Sequence, residues 1–317
     1  MCVLLLQREL VWIMKINAFC MSCLVQSQAR RIEKFEDEEK KACYMREVLH
    51  LIADGNPKWS APALLEPISK LYETYWGAQG DLEEEKITFN ELLLSMEDTL
   101  EQKIRSKKDP LEAALCLARL GNYIDLYTAM RYARIGNYID FSALSEVSAE
   151  KLLELLGQSE QETLDAEEYG YFRKDLENGK HLVYLTDNCG EIVLDKILIK
   201  LLKEQYPQLS IEVLVRGIAV TNDATLEDAR YVGLTEVVPV FGNGSGIAGT
   251  ELTHISEEAR RKLEQADLIL SKGQGNFETL HTCGLNIYYL FLCKCDWFMQ
   301  RFQAEHLQGM FVNETRI

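Results

Sequence analysis

The segment LTDNCGE (185–191) sets an acid and an amide side by side, Asp187 and Asn188, just before Gly190. Carboxylate and amide oxygens are the donors that hard divalent cations such as Mg2+ and Mn2+ take. A helix opening at Gly190 would add amide donors and the positive end of its dipole for a phosphate oxygen. A second acid with a neighbouring amide, Asn222 and Asp223, follows in VRGIAVTNDATLED (215–228). A cation follows in LSKGQGNFETL (270–280), where Lys272 precedes Gly273 and Gly275 and suits a phosphate clamp. Each segment also has a bland reading. Asp and Asn cap helices and form turns, Asp223 with Glu227 or Asp228 fits an N-cap, and a lone Lys is more often a solvated surface group. The lysine is not part of a Walker-type loop, because G-x-x-x-x-G-K-[ST] is missing.

These residues act together only if the chain brings three distant segments to one place. HLVYLTD (181–187) and IEVLVRG (211–217) are short β-rich runs separated by the helical segment EIVLDKILIKLLKEQY (191–206), which is a βαβ unit. The alternation continues through TLEDARYVG (225–233), EVVPVFG (236–242), SEEARRKLEQA (256–266), DLILSKG (267–273) and NIYYLFLC (286–293). This predicts about five strands with helical crossovers, a doubly wound and mainly parallel sheet. Ligands of such sheets sit beyond the carboxyl ends of the strands, where Asp187, Asn188, Asn222, Asp223 and Lys272 all fall. Upstream, from Cys20 to about Asn178, the period is helical: ACYMREVLHLIADG (42–55), APALLEPISKLYETYW (61–76) and FNELLLSMEDTLEQKI (89–104) carry apolar residues at three and four spacing. Asp109-Pro110 starts a further helix. The expected organisation is an extension or misassigned start over 1–13, a helical domain over 14–178 and an α/β catalytic domain over 179–317. The pentapeptide GNYID occurs twice, at 121–125 and 136–140, too few copies for a solenoid.

The whole-chain charge limits the partners. Fifty acidic against 34 basic side chains leave a formal charge of −16 on 317 residues, 47% of them hydrophobic. That field repels nucleic-acid backbones and anionic lipid over a Debye length of ~8 Å, so neither is an expected partner. An anionic ligand would need a local cation to overcome it. MCVLLLQRELVWI (1–13) is broken by Gln7-Arg8-Glu9 and has no basic start or cleavage signal, Met14 offers a second start, and no run of ~18 apolar residues follows. Nine cysteines, an odd number without a secretory signal, fit reduced thiols in the cytoplasm or metal ligands.

DNCGE, RG with NDAT and ED following, SKGQGNFE, the second GNYIDF and CMSC near the amino end occur together in one order and spacing. The set resembles the damage-control phosphatases, a family long catalogued as a domain of unknown function. The likeness spans about 14–313 and is closest to the mainly prokaryotic branch with an amino-terminal Cys-x-x-Cys. It implies a helical amino-terminal region packed on a three-layer α/β/α sandwich, and a divalent metal, Mn2+ or Mg2+ with Co2+ or Ni2+ as others. It implies a metal set of Asp187, Asn188 and Asp223, with Asp187 or Asp223 as nucleophile or base. Lys272 matches the family's phosphate-contacting lysine, and Asn137 and Asp140 a helical motif that closes over the substrate. Gly190, Glu191, Arg216, Asn222 and Asn276 are further candidates for phosphate or substrate contact. The implied activity is hydrolysis of small phosphate monoesters, sugar phosphates or damaged phosphometabolites, with a water or an Asp carboxylate as nucleophile.

Three other readings compete. A nucleotide or cofactor-binding module without phosphatase activity would suit the sheet, yet G-x-G-x-x-G is missing after the first strand. A carboxyl methyltransferase would need a glycine-rich first turn for its cosubstrate. A structural metal adaptor would use Cys20, Cys23 and Cys295, although Cys-x-Cys is an unusual second half for a thiolate zinc site. Cys189 has no nearby His to activate it, and the five histidines show no paired ligand spacing. Sequence leaves the oligomeric state open.

Overall fold

The computed structural model describes residues 16–77, 82–119 and 163–317. Its centre is one six-stranded sheet of β1 (His181–Leu185), β2 (Ser210–Val215), β3 (Val240–Gly242), β4 (Leu268–Lys272), β5 (Ile287–Leu292) and β6 (Gly309–Asn313). The order is β3-β2-β1-β4-β5-β6, parallel except for β6, which runs antiparallel to β5 at the edge. The five strands expected from periodicity all form. The sixth is an addition: five residues, GMFVN, with alternating half-burial, reached through the short helix Asp296–Phe302 rather than a long crossover.

Strand pleat and burial agree. Leu182, Tyr184, Ile211, Val213, Val215, Leu268, Leu270, Tyr288 and Leu290 point to one face. Val183, Leu185, Leu214, Ile269, Ile287, Tyr289 and Phe291 point to the other. Both faces are covered, as parallel sheets require, and each large apolar side chain so buried contributes about 1.5–3 kcal/mol. The first face packs against Glu83–Arg105, a helical run at 110–119, and the helices Ala166–Asn178, Glu191–Gln205 and Leu226–Tyr231. The second face packs against Glu257–Gln265, Gln274–Leu280 and Asp296–Phe302. This is the expected three-layer α/β/α arrangement.

Helices Ala18–Ile32, Glu38–Asp54 and Ala61–Trp76 share a separate apolar cluster around Tyr44, Val48, Ile68 and Tyr72. They meet the sheet's loops through Ser60, whose hydroxyl donates to buried Glu251 at 3.0 Å, and through Trp59 against His254. Asn17 caps Ala18–Ile32 by accepting from the Cys20 amide, and both cysteines of the Cys-x-x-Cys, Cys20 and Cys23, lie inside that helix. Among the described residues no helix is long and apolar enough to cross a membrane.

Candidate active site

Strand register aligns the site. Leu185 pairs with Leu214 on one side and with Ser271 on the other. Two residues further on, Asp187 therefore stands level with Arg216 and Gly273. These are the carboxyl ends of β1, β2 and β4, and the order reverses between β1 and β4, the switch point where α/β sheets bind ligands.

The Arg216 guanidinium, 2% exposed, gathers the acids. Its Nε donates to Asp223 Oδ2 at 2.5 Å, its Nη1 to Asn276 Oδ1 at 3.2 Å and more weakly to Thr250 Oγ1 at 3.4 Å. Its Nη2 lies 3.7 Å from Asp187 Oδ1 and is buried without a hydrogen-bond partner. Asn188 and Asp223 pair as an isolated antiparallel bridge, and the Ala224 amide donates to the Asp187 carbonyl at 2.8 Å. Thr221, at φ +44°, donates from Oγ1 to Asp223 Oδ1 at 3.1 Å, so a strained turn next to Asn222 aims this carboxylate. Asn222 itself contributes its carbonyl to the Cys189 amide at 2.9 Å. Gly273 has to be glycine. Its φ is +81°, and a Cβ there would stand 2.0 Å from Asp187 Oδ2.

Lys272 does not project into the site. It is fully buried, donating to the Ala118 carbonyl at 2.7 Å, to Asp195 Oδ1 at 2.8 Å and to Glu191 Oε1. Tyr184 adds a hydroxyl donated to Asp195 Oδ1 at 2.6 Å. Burial pushes the Glu191 and Asp195 carboxyls up from their usual range, and the Lys272 ammonium opposes this. For Lys272, burial lowers the pKa, but the two carboxylates outweigh it and raise it overall. An ammonium has three protons, and all three have acceptors here, so the expected phosphate clamp is a buried ion cluster instead.

The helix N-terminus after Asp187 is likewise engaged. Gly190, at φ +71°, donates its amide to Asn90 Oδ1 at 2.6 Å. The amides of Glu191, Ile192 and Val193 turn back to the carbonyls of Cys189, Asn188 and Gly190. The phosphate cradle expected at Gly190 is thus used within the protein. Asn276 is consumed too. Its Nδ2 donates to the carbonyls of Thr186 and Lys272, and its Oδ1 accepts from Arg216 and Thr250.

Two site residues escaped the sequence reading. Asn90, 1% exposed on the helix Glu83–Arg105, accepts from Gly190 and donates to Asp228 Oδ1 at 3.0 Å. Asp228 caps the helix after Asp223 through the Thr225 amide, so Asn90 fastens both acid-bearing loops. The signal was Asn90 beside Phe89 on the buried face of that helix, a face that also carries Lys86 and Glu97. Lys294, just past β5, stands near enough for its charge to oppose the rise at Glu191. It sits within the CKC run, read only for its thiols. Asn137 and Asp140 lie outside the described residues.

Cys20 and Cys295 approach each other near Glu278. Burial, with the charges of Glu278, Cys295 and Cys23 adding to it, pushes the Cys20 thiol up to about 11. Among the described residues no group of three or more His, Cys, Asp or Glu converges as a metal centre. A thiolate site at Cys20, Cys23 and Cys295 therefore gains nothing from the geometry. The oxygen set is different in kind, because its third donor is an amide. Asp187 and Asp223 are 8% and 4% exposed carboxylates and Asn188 lies between them. Its Nδ2 donates to Asp187 Oδ2 at 3.0 Å and reaches Glu191 Oε2 at 3.5 Å, which turns Oδ1 the other way. Two carboxylates and one amide oxygen fit a hard divalent cation.

Comparison with known proteins finds relatives along nearly the whole chain. A damage-control phosphatase from Archaeoglobus fulgidus is 29% identical over 291 residues, covering 89% of this chain and 93% of that one. One from Pyrococcus horikoshii is 28% identical over 288 residues, covering 89% and 92%. The crystal structure of a DUF89 family protein from Pyrococcus horikoshii superposes with a TM-score of 0.73 at 25% identity, over 95% of this chain and 99% of that one. The model of the damage-control phosphatase ARMT1-like domain matches residues 16–308, and the chain belongs to that family.

Proposed function

We propose that this phosphatase is metal-dependent and hydrolyses small phosphate monoesters, sugar phosphates or damaged phosphometabolites among them. Asp187, Asn188 and Asp223 would hold the divalent cation, Mn2+ or Mg2+ with Co2+ or Ni2+ as alternatives. The observation that carries the reading is Arg216 Nη2, buried without a hydrogen-bond partner beside two carboxylates at a sheet switch point. When bound, the cation supplies charge neutralisation and orientation for the phosphoryl group.

The chain's own groups do the rest. Arg216 Nη2 donates to a phosphoryl oxygen, while its Nε and Nη1 stay on Asp223 and Asn276 and keep the fork fixed. Asp187 and Asp223 carry the nucleophile or base role. Asn276, with four hydrogen bonds, orients Arg216 rather than touching substrate. Lys294 contributes positive charge near Glu191. The net charge of −16 would otherwise disfavour a phosphate, so this local pair of cations matters for binding. The thiol chemistry fits a cytoplasmic location.

The test is phosphate release from a panel of sugar phosphates and an aryl phosphate, with and without Mn2+, in wild type and Asp223→Ala. Metal-dependent release lost in the variant supports the reading. Equal background in both, with Mn2+ bound to wild type, would favour a binding module.

A further inference from the structure

We infer that Lys272, backed by Asp195 and Tyr184, is a positioning residue that holds Glu191 so that Glu191 sets which way the Asn188 amide faces. The inference deepens the metal-site reading and rests on it. Lys272 is 0% exposed, and its three protons are taken by the Ala118 carbonyl, Asp195 and Glu191. Asp195 is held in turn by the Tyr184 hydroxyl. Lys272 occupies Oε1 of Glu191, which leaves Oε2 directed at Asn188 Nδ2 at 3.5 Å, the long end of hydrogen-bond range. The same nitrogen donates to Asp187 Oδ2 at 3.0 Å.

The two ends of an asparagine amide are nearly equal in size but opposite in hydrogen bonding. Only the oxygen can hold a cation. With Nδ2 drawn toward two carboxylates, Oδ1 must face elsewhere, and the ligand atom is preset. Groups behind a metal ligand commonly orient it in this way. The Ala118 carbonyl extends the connection to the helical run 110–119, from which the chain proceeds to the two GNYID copies.

The experiment titrates Mn2+ into the full chain and follows the free-ion EPR signal for wild type, Glu191→Gln and Glu191→Gln with Lys272→Met. In the single variant Lys272 keeps the carboxamide oxygen, so the Gln NH2 meets the Asn188 NH2. Donor faces donor, the amide turns, and Mn2+ affinity falls about 10- to 100-fold. In the double variant the carboxamide is free to rotate its oxygen toward Asn188, and most of the affinity returns. Unchanged affinity in Glu191→Gln, or a double variant weaker than the single, overturns the inference. A double variant that fails to fold by circular dichroism leaves the single variant to decide, since Glu191→Gln retains the Lys272–Asp195 pair. Lys272→Met with wild-type Mn2+ affinity but weakened inhibition by inorganic phosphate would restore the clamp and overturn it too. Wild type that takes up no Mn2+ removes the metal reading and this inference together, a result distinct from all of these.

Discussion

Arg216 donates to Asp223 at 2.5 Å, across the loop 217–222 that separates them in the chain. The contact closes that loop and joins the end of β2 to the second acid. The guanidinium also stands 3.7 Å from Asp187, so one cation spans the two strand ends. Removing either acid therefore has two effects, one on chemistry and one on a buried charge.

Asp223→Ala leaves Arg216 buried with less compensation, a loss of about 3–5 kcal/mol where a buried pair is broken. Asp223→Asn keeps an acceptor for Nε and costs less. Both should lose turnover, by about 100-fold or more, because neither retains the second carboxylate. Thermal melts and phosphate release measured on the two variants separate the effects. An Asp223→Asn enzyme with wild-type turnover would remove Asp223 from the chemistry.

Gly273→Ala should abolish activity with the fold intact. The added Cβ would stand 2.0 Å from Asp187 Oδ2, and φ is +81°. Gly284→Ala is the control. It shares a positive φ, +79°, but has no atom within 4 Å of its Cβ. Backbone strain of about 1–2 kcal/mol should appear in both, and loss of phosphate release only at 273. Urea unfolding and initial rates decide; equal activity in the two variants would mean that Asp187 can move without consequence.

Asn90→Leu tests the tie between the two loops. The substitution keeps side-chain bulk and strips the hydrogen bonds to Gly190 and Asp228, each buried group left unsatisfied costing about 1–3 kcal/mol. Stability should fall by about 2–4 kcal/mol on that basis, with turnover falling as the two acid-bearing loops loosen. A variant with wild-type urea midpoint and rate would reduce Asn90 to a packing residue.

The parts of this site legible in the sequence were those fixed by local pattern. Asp187, Asn188 and Asp223 follow β-rich runs at a predictable place, and strand order plus register put them on one edge. Residues whose role depends on distant partners were not legible. Lys272 reads as a strand-end cation, and only the fold brings it Asp195, Glu191 and the Ala118 carbonyl, the last of these 154 residues away. Asn90 is 138 residues from Asp228 and reads as one polar residue on an amphipathic helix. Gly190 looks like a phosphate-binding turn until Asn90 takes its amide. β6 was missed because a short antiparallel edge strand breaks the strand–helix alternation that revealed the others.

Stability should decline as pH rises through the acid side of neutrality, and Glu278 is one cause. Burial pushes its carboxyl from 4.5 up to about 7, opposed by the Gln274 amide that donates to it at 2.7 Å. The folded state then binds more protons than the unfolded state between those two values. Because stability falls with pH wherever the folded state holds the extra proton, the loss runs from about pH 4.5 to about pH 7 and then levels. Its ceiling is about 3 kcal/mol, and solvent reaching the half-buried side chain brings it lower. Glu278→Gln should remove this slope, so that variant and wild type match more closely at pH 5 than at pH 8, with the variant the more stable at pH 8. Urea unfolding of both proteins at the two pH values measures it, and parallel pH dependence in both would show that the Glu278 carboxyl remains charged in the folded protein.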